Sequence, residues 1–447
     1  MMESLLVANR GEIARRVIRT AKNMGIRTIA VYSEADQTLP FVLEADQSVL
    51  IGPAAPADSY LNIDAVLAAA SATGAAAIHP GYGFLAENPD FAQAVQDAGM
   101  IWVGPSPSAM RAMGDKIEAR NRMAAAGVSV APGSTEPVAD VAAALVEADR
   151  IGYPVMVKAA AGGGGIGMSA AADPAELVKA FETAQSRAER FFADPAILLE
   201  RFVPSARHIE VQILGLTDGT VVALGERDCS VQRRHQKVAE ESPSPAVDPV
   251  LRASLLQMAI RAGEAVGYRN AGTVEMLLDT ASGEAWFLEM NTRLQVEHPV
   301  TEMVTGLDLV QEQLRIASGM APTFDPKAAP SPVGHAIELR VYAEDPKRFL
   351  PRPGTITSWI EPSGDGVRVD SGYTAGNVVT PFYDPLLAKL IVHGDDRAQA
   401  LARARSAVDG FVIDGPKNNL PFFVELLDDP GFVAGQYDTG IVSRLRR

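Results

Sequence analysis

Cysteine is almost missing from this chain: Cys229 is the only one in 447 residues. A lone thiol excludes an internal disulfide framework and any zinc cluster built on paired cysteines, and it fits a reducing compartment. Histidine is scarce as well, and the six present (His79, His208, His235, His298, His335 and His393) show no close metal-ligand spacing. Positive charge is in deficit. The net charge of −15 removes the basic footprint that duplex nucleic acid demands. No uncharged apolar run is long enough to span a bilayer, and the opening "MMESLLVANR" lacks the basic-then-apolar order of a leader. The expectation is therefore a cytoplasmic protein that engages neither nucleic acid nor membrane. What is present is ample core material: hydrophobic residues make up 47% and charged ones 21%. A single core stops growing at roughly 250–300 residues, so the length implies two to three domains.

The first third alternates short apolar strands with helical patterns. "LLVA" (5–8) precedes a helix over 9–25 with Ile13, Val17, Ile18, Ala21 and Met24 at helical spacing, and "TIAVY" (28–32) is the next strand. This βαβ alternation continues to "MIWVG" and predicts a doubly wound parallel sheet over residues 1–114. A helix over 115–127 follows. A compact α/β piece at about 131–204 then contains the strand "PVMVKA", the glycine loop "AGGGGIGM" (161–168), a helix headed by Asp173 and Pro174, and the strand "AILLERFV". Hairpins dominate next, one turning at Thr217-Asp218-Gly219, another within "TVEMLLDTASGEAWFLEMN". "PKAAPSPVG" marks a boundary near 330, after which the pattern is mostly β with one helix near 397–410.

Residues 289–297, "EMNTRLQVE", alternate polar and apolar positions, which predicts a strand with one polar face carrying Glu289, Asn291, Arg293, Gln295 and Glu297. If the preceding hairpin turns near Ser282, Glu275 stands opposite Glu289. Two facing carboxylates repel unless a positive charge lies between them. All-oxygen donors on rigid strands suit Mg2+ or Mn2+ better than zinc, with Asn291 as a third oxygen. The same spacing also fits exposed sheet residues or one side of a salt-bridge ladder.

Magnesium is usually shared with phosphates. The glycine loop offers a cradle, since Gly162, Gly163, Gly164, Gly165 and Gly167 let backbone N–H groups approach an anion. It matches G-x-G-x-x-G formally, but no helix opens from it, and no P-loop motif occurs. A flap over a nucleotide fits the pattern; a plain flexible hairpin is the alternative. Lys158, at the end of the strand before the loop, is a suitable phosphate partner, and Lys116 heads a helix nearby. "RRHQKVAEE" (233–241) adds Arg233, Arg234, His235 and Lys237 in an otherwise acidic chain.

Taken together, "ANRGEIARRVIRTAKNMGI", "HPGYGFLAEN", "GDK", "GERDCSVQRRHQKVAEESP", "EMNTRLQVEHPVTEMVTGLDLV", "YAEDP" and "YDPLLAKLI" resemble the biotin carboxylase signature, in order, over nearly the whole chain. The resemblance implies an α/β and α+β multidomain fold. It comprises an N-terminal Rossmann-like domain (1–114), an ATP-grasp domain (115–330) with a mobile lid at about 131–204, and a mostly β C-terminal domain (331–447). It implies an ATP-dependent ligase that makes carboxyphosphate from MgATP and bicarbonate, with a pair of Mg2+ or Mn2+ ions, and then carboxylates biotin at N1′. By similarity, Lys116, Lys158 and His208 contact phosphates beneath the flap of Gly163, Gly164 and Gly165. Glu200 and Phe202 resemble the adenine hinge, and Gln232 and His235 lie near ribose and phosphates. Glu275, Glu289 and Asn291 match the metal ligands. Arg293, Gln295, Val296 and Lys237 match a bicarbonate site, Glu297 its base, and Arg340 the arginine that steadies the biotin enolate. A carboxylate suits the base role if the local field raises its pKa toward neutrality.

The chain departs from the family loop at Ala161, where a glycine is usual, and at Ile166, where an arginine is usual. No Ala-Met-Lys-Met-like sequence occurs, so biotin is expected on a separate carrier protein or on a further part of a longer carboxylase. The resemblance also implies a carboxyltransferase partner, a homodimer and a place in an acetyl-CoA carboxylase or related enzyme, as in fatty acid biosynthesis. Two other readings remain open: another ATP-grasp carboxylate ligase, and a nucleotide-sensing homologue without turnover.

Overall fold

In the N-terminal region, successive residues of one strand point into different cores. A computed structural model of the protein describes residues 2–159, 168–192 and 195–446. In strand Ser4–Val7, Leu5 and Val7 pack with Ile13, Val17 and Ile18 of helix Gly11–Asn23. Leu6 faces the other way, toward Val66 of helix Ile63–Thr73 and Phe91 of helix Pro89–Asp97. A sheet buried on both faces must be apolar throughout, as this one is. Its five parallel strands run in the spatial order Gln47–Gly52, Arg27–Ser33, Ser4–Val7, Ala77–His79, Ile101–Trp102. The order reverses between Ser4–Val7 and Ala77–His79, and the loops leaving those two strands are where such a sheet opens a crevice.

A second sheet has three antiparallel strands, Ser169–Ala171, Val155–Ala159 and Ile197–Arg201. Val155, Val157 and Leu199 pack with Ala144 and Ala148 of helix Val141–Ile151 and with Leu177 and Phe181 of helix Pro174–Phe192. This piece thus has its own small core. The Asp173 carboxylate accepts from the Glu176 N–H at 2.9 Å, the helix cap that the sequence predicts. The glycine loop at 161–167 lies outside the described residues.

The largest sheet has eight antiparallel strands, in the order Ala285–Asn291, Asn270–Asp279, Ala206–Gly215, Val221–Arg233, Gln236–Ser242, His335–Tyr342, Leu386–Gly394, Val367–Ser371. Strands from both sides of the proline-rich segment therefore share one hydrogen-bonded sheet. Ile209, Val211 and Ile213 face helix Pro249–Glu264 through Leu255 and Met258. His208, Glu210 and Gln212 alternate with them and point to the opposite, polar side. Beyond the expected helix, Arg397–Gly410, three further helices follow at Leu420–Asp428, Pro430–Val433 and Ile441–Leu445. Among the described residues no helix is long and apolar enough to cross a membrane.

Candidate functional site

Strands Asn270–Asp279 and Ala285–Asn291 pair with Glu275 directly opposite Glu289. Nearer the turn the register differs by one residue, Leu278 facing Ala285, and a bulge between Glu275 and Met276 restores the expected pairing. On its other edge Glu275 faces Glu210, which in turn faces Arg227. Glu289, Glu275, Glu210 and Arg227 thus form a lateral row across four strands.

Against the row of carboxylates lies Lys237. Its Nζ is 2.5 Å from Glu210, 2.7 Å from Glu275 and 2.7 Å from Glu297. The three negative charges outweigh burial and hold this ammonium firmly protonated. Glu275 also lies 2.9 Å from His208 Nε2 and accepts from Asn291 Nδ2 at 2.8 Å. Burial opposes ionisation of Glu275, but Lys237 and His208 overcome it and pull its pKa strongly down. Glu289 opens onto solvent within the cleft. Dense surroundings and then the charge of Glu275 push its carboxyl up, while Lys116 offsets part of this. An anion pair with that imbalance fits a hard divalent cation, and turning the Asn291 amide, whose oxygen here accepts from Arg293, would add a third oxygen donor.

The alternation in 289–297 breaks the expected strand short. Pairing ends at Asn291, and residues 293–297 form a turn into helix His298–Thr305, because Pro299 in the first helical turn favours helix initiation. The turn folds Arg293 back, so its guanidinium donates to Asn291 at 3.1 Å and to Gln295 at 2.9 Å. Its Nε lies 3.0 Å from Glu87, on the loop that leaves strand Ala77–His79. Glu297 ends at the helix start, fully buried, held by Lys237 and by Arg340 at 2.9 Å. Here the expected field is reversed. Burial alone would raise the Glu297 carboxyl, but Lys237, Arg340 and Arg227 together hold it well below the usual carboxylate range.

These groups border a cleft of about 1020 Å3. Lys116, Lys158, Glu200, Phe202, His208, Gln232, His235, Lys237, Glu275, Glu289, Asn291, Arg293, Gln295, Val296 and Arg340 all line it, and Glu297 lies just beneath. Gly163, Gly164 and Gly165 lie outside the described residues. Asp115 caps its helix by accepting from Ile117 and Glu118, which makes Lys116 the first helical residue and turns it into the cleft. Burial lowers its pKa, with Glu289 opposing. Lys158 pairs with Glu200, which also lies 3.4 Å from Arg120. Gln232 donates to the Cys229 carbonyl and lies 2.9 Å from His208 Nδ1, while His208 Nε2 faces Glu275. Arg234 and His235, both with positive φ, are the two central residues of a tight hairpin between Arg233 and Gln236. Such a turn normally takes Asn-Gly, so strain is stored at the cleft wall.

Sequence reasoning missed Glu210, Glu87, Arg227 and Glu240. Glu210 was visible as the polar member of "HIEVQI", but its pairing with Glu275 joins strands that are not consecutive, and no turn announces that register. Glu240 lies 2.6 Å from Arg340. The loops of the N-terminal sheet supply the facing wall through Asn9, Arg10, Tyr82 and Phe84. Gly81, at φ 65°, must be glycine here, since a Cβ would come within 2.8 Å of the Asn9 amide that donates to Pro80 and Tyr82 carbonyls.

Comparison with known proteins agrees over the full length. Residues 1–110 match the biotin carboxylase N-terminal domain, 115–322 the ATP-binding domain of the carbamoyl-phosphate synthase L chain, and 338–444 the biotin carboxylase C-terminal domain. Biotin carboxylase 2 of Bacillus subtilis is 49% identical over 99% of this chain and 100% of its own length. The biotin carboxylase of Pseudomonas aeruginosa is 48% identical over 97% of this chain and 96% of its own. Among solved structures, a Campylobacter jejuni biotin carboxylase in a β,γ-ATP complex superposes with TM-score 0.96 at 44% identity, covering 99% of each chain. The biotin carboxylase domain dimer of Hydrogenobacter thermophilus 2-oxoglutarate carboxylase, with MgADP and bicarbonate, gives 0.94 at 43% identity, covering 99% of this chain and 98% of that one.

Proposed function

The chain belongs to the biotin carboxylase family of ATP-grasp ligases, which carboxylate biotin with MgATP and bicarbonate, and from that premise we propose how its residues divide the work. The observation that carries the assignment is the position of Lys237, whose single ammonium touches both Glu275 in the carboxylate row and the buried Glu297.

Glu275, Glu289 and Asn291 would hold the divalent cations, and the chemistry those ions would supply is neutralisation of charge on the transferring phosphoryl group. Lys116, Lys158 and His208, together with Gly163, Gly164 and Gly165, take the triphosphate. Glu200 and Phe202 take adenine, and Gln232 and His235 the ribose side. Nucleotide entry parts the Lys158–Glu200 pair, freeing the lysine for phosphate and the carboxylate for the base.

Bicarbonate sits against Arg293, Gln295, Val296 and Lys237. Its arrival shares the positive charge that otherwise belongs to Glu297, so that carboxylate becomes more basic as its substrate binds. Glu297 takes the bicarbonate proton while a bicarbonate oxygen displaces ADP from the γ-phosphorus, giving carboxyphosphate. Loss of phosphate from carboxyphosphate leaves CO2, the phosphate accepts the N1′ proton of biotin, and the nitrogen attacks CO2. Arg340 steadies the negative charge on the ureido oxygen without reorganising, being already fixed between Glu297 and Glu240.

We divide the chain into an N-terminal domain (1–114), an ATP-grasp domain (115–330) with a lid at about 131–204, and a C-terminal domain (331–447). The protein works as one component of a biotin-dependent carboxylase in the cytoplasm, as a homodimer, with a biotin carboxyl carrier and a carboxyltransferase as partners. ATP hydrolysis measured with and without bicarbonate, and then with free biotin, tests the reading. Stimulation that needs both substrates is expected. Turnover independent of bicarbonate indicates another ATP-grasp ligase, and tight ATP binding without hydrolysis indicates a nucleotide sensor; either overturns it.

A further inference from the structure

Behind Arg340 lies a carboxyl group that the chemistry above does not use. Glu338 is two residues before Arg340 on strand His335–Tyr342, so it shares that residue's face of the sheet. It is fully buried, and neither carboxyl oxygen has a hydrogen-bond partner. Directly across on the neighbouring strand stands Glu240, also buried. The other neighbouring strand contributes Lys389, whose ammonium is committed to Glu12 at 3.2 Å and to the Val296 carbonyl at 2.9 Å. Helix His298–Thr305 covers this face, and its first residue, His298, is held neutral by burial and by nearby cations. Farther out, Glu302 is matched by Arg16 and Arg368, and Asp370 by Arg368.

The buried acids of this region are unequally paired. Glu12, Glu210, Glu240, Glu275, Glu297 and Glu338 are six buried carboxyls. The cations that reach them are Arg227, Lys237, Arg340 and Lys389, and His208 would be a fifth only if doubly protonated. Each of the other five has a cation in ion-pairing contact, whereas an unmatched buried charge at Glu338 would be far costlier than a neutral acid. Glu338 is the member without a cation partner. Burial raises its carboxyl far above the usual range; Lys389 opposes this and Glu240 reinforces it.

We infer that Glu338 is a neutral carboxylic acid that shares its proton with Glu240, and that this shared proton is a positioning device for Arg340, in the role proposed for that arginine above. With one proton between the two acids, Glu240 presents a single negative charge and Arg340 stays balanced between Glu240 and Glu297. Loss of the proton places two negative charges on the far side of Arg340 and draws the guanidinium away from the cleft.

The proton can be read without any turnover. In the infrared spectrum of the intact protein at neutral pH, the carbonyl band of a protonated carboxylic acid is expected to lose intensity in Glu338→Gln. In Glu240→Gln, which removes the adjacent negative charge, the same band should vanish at a lower pH than in the wild type. A wild-type band untouched by either substitution overturns the proposal and leaves the proposed function standing. The positioning role is read from the pH dependence of kcat/KM for free biotin. The wild type should fall by about tenfold per pH unit once the shared proton is lost, and Glu338→Gln should lack that alkaline limb. Coincident profiles overturn the positioning role.

Discussion

Lys237 and Glu297 meet at 2.7 Å, and this contact keeps a completely buried carboxylate ionised. The same ammonium also serves Glu210 and Glu275, so its removal strands three buried negative charges at once.

Lys237→Gln is therefore expected to cost about 3–5 kcal/mol of stability, the range for breaking a buried ion pair. Bicarbonate-dependent ATP hydrolysis should fall by about 10²–10³. Glu297 is held low in the native protein, so its ionised form survives far into acid. Without Lys237 the acid limb of the residual activity should move to higher pH, and a pH profile of ATP hydrolysis checks the direction.

Glu241 ties the central sheet to the C-terminal helices. Burial would raise its carboxyl, but His335 and Arg397 hold it at about 2, and Tyr437 donates to it as well. Because the folded pKa lies below the unfolded one, the stabilisation is complete above the unfolded value and is lost as pH falls toward 2. The shift corresponds to about 3 kcal/mol. Urea titrations at falling pH should show that loss in the wild type and a flatter acid dependence in Glu241→Gln, which starts from lower stability.

Replacing Arg234-His235 by Asn-Gly relieves two left-handed non-glycine residues. Stability should rise by about 1–3 kcal/mol, with a higher melting temperature, and KM for ATP should rise because the His235 side chain leaves the cleft. A stabler variant with unchanged ATP affinity would remove His235 from the nucleotide site.

In the role proposed for Arg293, its contact with Glu87 at 3.0 Å would compete with bicarbonate. Because Asn291 and Gln295 also hold that guanidinium, Glu87→Gln should leave it in place, and KM for bicarbonate should fall by up to about fivefold, the worth of an exposed pair. Steady-state kinetics with bicarbonate as the varied substrate decides it; a raised KM would make Glu87 a support rather than a competitor.

Ile166 is the position at which the sequence resemblance leads one to expect arginine. Ile166→Arg is expected to lower KM for ATP; an unchanged KM argues against a part for this position in nucleotide affinity.

Much of this was legible in the sequence because local signals set it. The Glu275–Glu289 pairing follows from a short turn, and the parallel N-terminal sheet from alternating periodicities. Glu210 and Glu240 were not, since their partners sit on strands joined across distant segments. The strand expected over 289–297 failed at Asn291 because a polar and apolar alternation is also what a turn shows when Leu294 points into the core and its neighbours into a cleft. The field at Glu297 is not legible in the sequence for a related reason: it depends on Lys237, Arg340 and Arg227, three cations brought together by folding alone.

The eight-stranded sheet carries one more implication. Gln236–Ser242, upstream of the proline-rich segment, hydrogen-bonds to His335–Tyr342 downstream of it. A protease nick at the exposed Ser331 or Val333 would thus leave two fragments knitted edge to edge. They should co-purify as one particle, and neither half expressed alone should be soluble until it meets the other.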